Sequence, residues 1–167
     1  GNICKTYSES LKNFYDLLYT ELFEDKFSIA KSYYYDKDNM DSALVYFGML
    51  KNKYLSGLKS NRTQTRDTVL YAYANSWYLS HSSSFAKDEV DSIKNILEPL
   101  TKNETNISAY YFKSLILLGN LYYSIDDINC AKENYSKVIS KSNKDSEEYH
   151  TADKNLYKLY LKNPVDN

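Results

Sequence analysis

A chain of 167 residues fits one domain and is long enough to bury a core without disulfides or metals as staples. Its 4 glycines and 2 prolines are too few for the turn-rich strands of a sandwich or barrel. Neither GxGxxG nor GxxxxGK followed by Ser or Thr occurs, so nothing predicts a phosphate-cradling nucleotide fold. With 21 basic against 22 acidic side chains and a pI near 6.2, no broad basic footprint for nucleic acid is expected. The unusual figure is 19 tyrosines. Tyr suits helix–helix contacts with one wet edge, and it suits binding surfaces.

From the N-terminus, Tyr7, Leu11, Phe14, Leu18 and Leu22 recur at helical spacing, predicting a capping helix over about residues 6–24. A second helix follows over 27–35. Asp36, Asp38, Asn39 and Asp41 then supply turn and N-cap chemistry before a helix over 41–53. Another pair is predicted around 70–78 and 88–102, with the Ser-rich stretch 80–86 between its members. Pro99 is expected to end or kink the second of these early. A third pair spans 115–123 and 129–142, joined by Asp126, Asp127 and Asn129. The chain closes with a helix over about 144–162, whose Lys154, Lys158 and Lys162 would solvate an outer face. No apolar run approaches the ~18 residues of a membrane-spanning helix.

Three stretches align on one another. Phe27, Leu70 and Leu115 open them; Ala30, Tyr73 and Leu118 follow three residues on; Tyr34, Trp77 and Tyr122 come four later. This spacing sets each trio on one helical face. A Tyr comes next in each case, at Tyr35, Tyr78 and Tyr123, and a small polar residue precedes it by three, at Ser32, Asn75 and Asn120. The paired helices align too, through Ala43, Ile93 and Ala131, then Phe47, Leu97 and Tyr135, then Leu50, Leu100 and Val138.

On these residues the chain resembles the tetratricopeptide repeat, a helix–turn–helix unit of about 34 residues. Leu115, Leu118, Gly119, Tyr122, Ala131, Tyr135 and Val138 match its signature best. The first unit departs with Lys31 in place of a small residue. The second departs with Ile93 and with a longer loop: Trp77 and Ile93 stand 16 apart, where Tyr34–Ala43 and Tyr122–Ala131 stand 9 apart. The resemblance implies an all-α fold of roughly eight helices in one domain, 1–167, with antiparallel pairs at 25–56, 67–102 and 112–143 stacked as a right-handed superhelix. Helices 6–24 and 144–162 would cap its ends.

In that family the first helices line a concave groove for partner peptides. The resemblance therefore implies a groove built from Ser32, Tyr35, Tyr71, Asn75, Tyr78, Asn120, Tyr123 and Tyr157. Lys113 stands near the place of a basic clamp residue, but its companion position is Leu117, so a carboxylate clamp is incomplete. The expected role is a non-enzymatic scaffold that binds a protein or peptide. Segments 55–67 and 80–86 would offer added contacts.

Signs of chemistry are sparse. His81 beside Ser80 and Ser82 has no orienting third group, and His150 lacks companions at metal-ligand spacing. The run from Asp36 to Asp41 lacks the glycine and closing glutamate of a calcium loop. No cofactor or metal is expected. Cys130 reads as a small buried residue. Cys4 leaves open an exported or cell-envelope protein, lipid-anchored after removal of a signal peptide, as an alternative to a cytoplasmic one. A small-ligand binder with an aromatic pocket is the other alternative.

Overall fold

The computed structural model describes residues 2–36, 39–55, 63–81, 85–102 and 108–162; side chains are described from residue 9 onward, Tyr54 excepted. All regular structure among them is helical: α1 (Asn2–Tyr35), α2 (Met40–Met49) with a π-helical turn (Leu50–Tyr54), α3 (Thr63–Ser80), α4 (Lys87–Thr101), α5 (Tyr111–Ser124), α6 (Ile128–Lys141) and α7 (Glu147–Lys162). That is seven helices against the roughly eight expected. The difference lies in α1. The separate helices predicted over 6–24 and 27–35 form one helix of 34 residues, because no Gly or Pro stands between them to break it. Pro99 does not stop α4, which runs two residues further to Thr101. The carbonyl that Pro99 leaves unbonded belongs to Asn95, an exposed residue, where water can satisfy it.

The chain, read above as a single domain, divides into two compact units, residues 1–77 and 78–167. The boundary falls inside α3 and so within the second of the expected helix pairs.

In the first unit α1 and α2 form a helical hairpin. Phe23 and Ala30 of α1, Ala43 and Phe47 of α2, Leu50, and Val69 and Ala72 of α3 make the buried core. Its edge is aromatic: Phe27 packs edge-on to Phe47 at 6.4 Å, Tyr34 meets the same ring at 5.8 Å, and Tyr33 stacks on Tyr46 at 5.5 Å. The turn is held by Asn39, whose amide donates to Asp36 at 2.6 Å. Asn39 occupies the N-cap position of α2 but makes no capping bond with its side chain, and Asp38 lies outside the described residues.

In the second unit α5 packs on both α6 and α7, and α6 on α7. The α5–α6 turn is built by two aspartates. Asp126 takes a left-handed backbone, φ 58°, which ends α5, and the Asp127 carboxylate accepts from the Cys130 N–H at 3.0 Å, which starts α6. Tyr111, Leu115, Ala131, Tyr135, Val138, Ala152 and Leu159 form the core. Cys130 is free and only half-buried, short of the burial read from sequence. Burial and the adjacent Asp127 push its thiol pKa up.

Gly119 sets the α5–α6 approach. A Cβ there would land on the buried Tyr135 ring, 2.8 Å from its Cδ1. At Gly48 a Cβ would meet Tyr73 Cε2 at 3.0 Å, but Tyr73 is half-buried and has room to give. Ala favours a helix over Gly by about 1 kcal/mol, so the two sites should respond oppositely. Gly119→Ala is expected to cost about 1–2 kcal/mol net, the overpacking outweighing propensity, while Gly48→Ala stays within about 0.5 kcal/mol of neutral; urea denaturation of each variant measures this. A second expectation concerns Ser114 on α5. It is fully buried, and its Oγ has no hydrogen-bond partner among the described residues. Ser114→Ala should therefore raise stability, by up to about 1 kcal/mol, in the same assay.

Candidate functional site

Within the second unit the helices enclose a cleft of ≈ 270 Å³, lined by Tyr78, Asn120, Tyr123, Tyr135, Asn155, Lys158 and Leu159. Each wall has a local cause. Tyr78 lies in the last turn of α3, and its ring stacks nearly parallel on Phe85, 5.8 Å between centroids and 7° between planes. Phe85 is itself buried, and His81 stacks on it at 5.1 Å. The His81 Nε2 lies 3.3 Å from a Glu89 carboxylate oxygen. The other Glu89 oxygen accepts from the Ala86 N–H at 2.9 Å, one arm of a capping box at the start of α4. So His81 is tied to α4 through Glu89 and packs on the Phe85 ring against which Tyr78 stacks. Residues 82–84 lie outside the described residues.

Asn120 and Tyr123 sit one turn apart on α5 and face the same cleft. Tyr135 of α6 reaches across the Gly119 gap and donates its hydroxyl to Asn120 Oδ1 at 2.7 Å. Asn155 of α7 donates to the same oxygen at 3.1 Å. The carboxamide oxygen of Asn120 is thus filled by two donors from two other helices. Its N–H donors have no acceptor among the described residues. Buried Leu159 supplies an apolar floor, and exposed Lys158 a positive lip. The Lys162 ammonium lies over the Tyr123 ring, 4.8 Å from its centroid, a cation–π contact. The Tyr123 hydroxyl raises the lysine's pKa.

The residues expected in one groove are distributed as follows. Tyr78, Asn120 and Tyr123 come together at the cleft. Ser32, Tyr35, Tyr71 and Asn75 belong to the first unit. There Ser32 and Tyr35 are exposed, Tyr71 is half-buried, and Asn75 donates to the Tyr34 hydroxyl at 2.7 Å. Lys113 is exposed and does not line the cleft. Tyr157 is 63% exposed and points away from it. Tyr135, Asn155, Lys158 and Leu159 were not anticipated as site residues. The inward face of α7 runs through Ala152, Asn155, Leu156 and Leu159, a 3-and-4 spacing that could have flagged Asn155.

Comparison of the chain with protein-family models, with curated proteins and with solved structures gives no match.

Burial holds the Tyr135 phenol well above its ordinary pKa; nearby Tyr78 adds to this, the Asn155 hydrogen bond opposes it, and Tyr123 adds a smaller push. Burial alone raises Tyr78. An acid whose pKa is higher folded than unfolded contributes stability that is complete below the unfolded value and is lost as pH rises past it. The fold should therefore weaken above pH about 10, where unfolded tyrosines ionise. Urea midpoints measured from pH 8 to 11 should fall, and fall less steeply in Tyr135→Phe; an identical slope in that variant would contradict the assignment.

Proposed function

We propose that the second unit binds an extended segment of another protein, seating one of its side chains in the Tyr/Asn cleft, and performs no chemical step. The observation that carries this reading is the state of Asn120. Its oxygen is committed inside the protein, so its N–H groups stand at the cleft wall as donors for a partner's backbone carbonyl. Tyr78 and Tyr123 supply large contact area at low entropy cost, and both are restrained, one by Phe85 and one by Lys162. The volume, ≈ 270 Å³, lies just under the range of about 300–1,000 Å³ usual for small-molecule pockets. That favours one anchoring side chain from a longer partner over a free ligand.

The same reading takes α5–α6 as a tetratricopeptide-like pair. In its support, Leu115, Leu118, Gly119, Ala131, Tyr135 and Val138 are all buried, and Gly119 provides the close approach that the signature glycine would. The first-unit counterparts Ala30, Ala43, Phe47 and Leu50 are fully buried as well. Together with the protein-binding role, this makes the molecule a recognition scaffold.

The test is selection of a random peptide library on the folded protein, followed by fluorescence anisotropy of an enriched peptide. Tyr123→Ala should weaken binding roughly 10–30-fold, the loss of about 1.4–2 kcal/mol typical of an interface tyrosine. Asn120→Asp keeps the acceptor for Tyr135 and Asn155 while removing the N–H donors, and should weaken it about tenfold. Enriched peptides that bind both folded variants as tightly as the parent would move binding away from the cleft. Failure to enrich any peptide, with a melting shift from small molecules, would replace the reading by a ligand-binding one.

A further inference from the structure

α1 carries two apolar faces. One runs through Phe23, Phe27 and Ala30 and enters the first unit's core. The other runs through Leu11, Tyr15, Leu18 and Leu22, which are 43%, 64%, 41% and 43% exposed. Phe14 and Leu17 flank it, also exposed. The spacing of the second face is 4, 3, 4, which reads as heptad positions d, a, d, a. A helix face that packs into its own globular core is buried; an exposed seam at this period is what a coiled coil uses, with Phe14 beside it at a g position.

We infer that this stripe is a dimerisation seam on which α1 of a second copy of the chain packs in parallel and in register. The charges beside the seam choose the occupant and the direction. With Leu11 and Leu18 at d, Glu21 falls at g and Lys26 at e. Neither has an ion-pair partner among the described residues, and the residue one turn on from Glu21 is Asp25, a like charge. In a parallel pair each g residue meets the e residue five positions on in the other helix. Glu21 then meets Lys26 of the second copy, twice by symmetry, and Phe14 meets Tyr19. Laid antiparallel on itself, the stripe sets Glu21 against Phe14 and Lys12 against Tyr19, and no opposite charges meet. Asp25 at the next d position ends the seam, so the contact is short and the dimer weak.

Sedimentation equilibrium of the chain over a range extending to high micromolar concentration tests this. The apparent mass should rise from 19.5 kDa toward twice that value. Leu18→Glu should hold it at the monomer value throughout. Glu21→Lys should weaken association about fivefold by replacing two attractions with repulsions, and the double variant Glu21→Lys/Lys26→Glu should restore it. Circular dichroism melts keep the test clean, because Leu18 and Glu21 are exposed and their variants should melt with the parent. A monomeric parent at every concentration overturns the inference and leaves the stripe to a different partner. Association that survives Leu18→Glu overturns the seam, and a double variant no better than Glu21→Lys overturns the parallel register.

Discussion

The second unit depends on one contact, the Tyr135 ring lying in the space where Gly119 has no side chain. Because α5 gives up a Cβ there, α6 can bring a whole aromatic ring against the α5 backbone rather than beside it. The ring is buried, so its hydroxyl must find a partner inside the protein. It finds the Asn120 carboxamide at 2.7 Å, one residue along from the glycine. Asn155 of α7 bonds the same oxygen, so a single polar atom connects three helices. The cleft is the surface expression of this arrangement: a polar network that is satisfied on its protein side and has donors left over on the other.

The first unit solves a similar problem with different atoms. Tyr34 packs edge-on to Phe47, and its hydroxyl accepts from Asn75 at 2.7 Å. An aromatic ring again covers the core while its polar tip is met by an asparagine on another helix. Here the asparagine is the donor, and Asn75 spends an N–H on the protein itself. Although Asn75 and Asn120 align in sequence, their chemistry differs for that reason. The first-unit ring sits in the last turn of α1. The second-unit ring sits on the returning helix α6. At both sites a tyrosine fills volume and closes a hydrogen bond at the same position.

Much of this could be read from the residue pattern, and the exceptions have physical causes. Periodicity located the helices and most of the core, since burial of one face is what the period encodes. Gly119 and Ala131 were legible as members of the repeat pattern, and both are buried. The single helix α1 was also legible in principle: neither Gly nor Pro stands between Leu22 and Phe27 to break it, and Asp25, the one residue of capping type there, starts no new helix. The weaker prediction followed from fitting a repeat length onto it. On α7, Ala152, Asn155, Leu156 and Leu159 turn inward, while Tyr157, expected in the groove, is exposed. Local spacing fixes which residues share a face; the rotation of that face onto a neighbour is decided by packing. The cleft's Tyr135–Asn120–Asn155 network depends on such rotations, so no single segment announces it.

The exposed stripe on α1 follows from helix lengths. At 1.5 Å per residue, the 34 residues of α1 extend about 51 Å, while α2 and its π-helical turn, residues 40–54, extend less than half as far. The described part of the hairpin partner therefore covers less than half the length of α1. Tyr19 marks where that coverage ends, its hydroxyl donating to the Lys53 carbonyl at 3.2 Å near the end of the described part of that partner. From residue 9 to residue 18 every α1 side chain is exposed. A helix of ordinary composition would be polar all round over such an overhang, since nothing there can bury an apolar group. This one instead carries Leu11, Phe14, Tyr15, Leu17 and Leu18. Helix propensity does not require them, because Lys, Glu and Gln form helices nearly as well as Leu and better than Phe or Tyr. Their cost in solubility is offset only if a partner removes them from water. The 4, 3, 4 spacing, together with a glutamate and a lysine that have no ion-pair partner among the described residues and would meet across a parallel pair, matches a second α1 more closely than it matches a flat apolar surface.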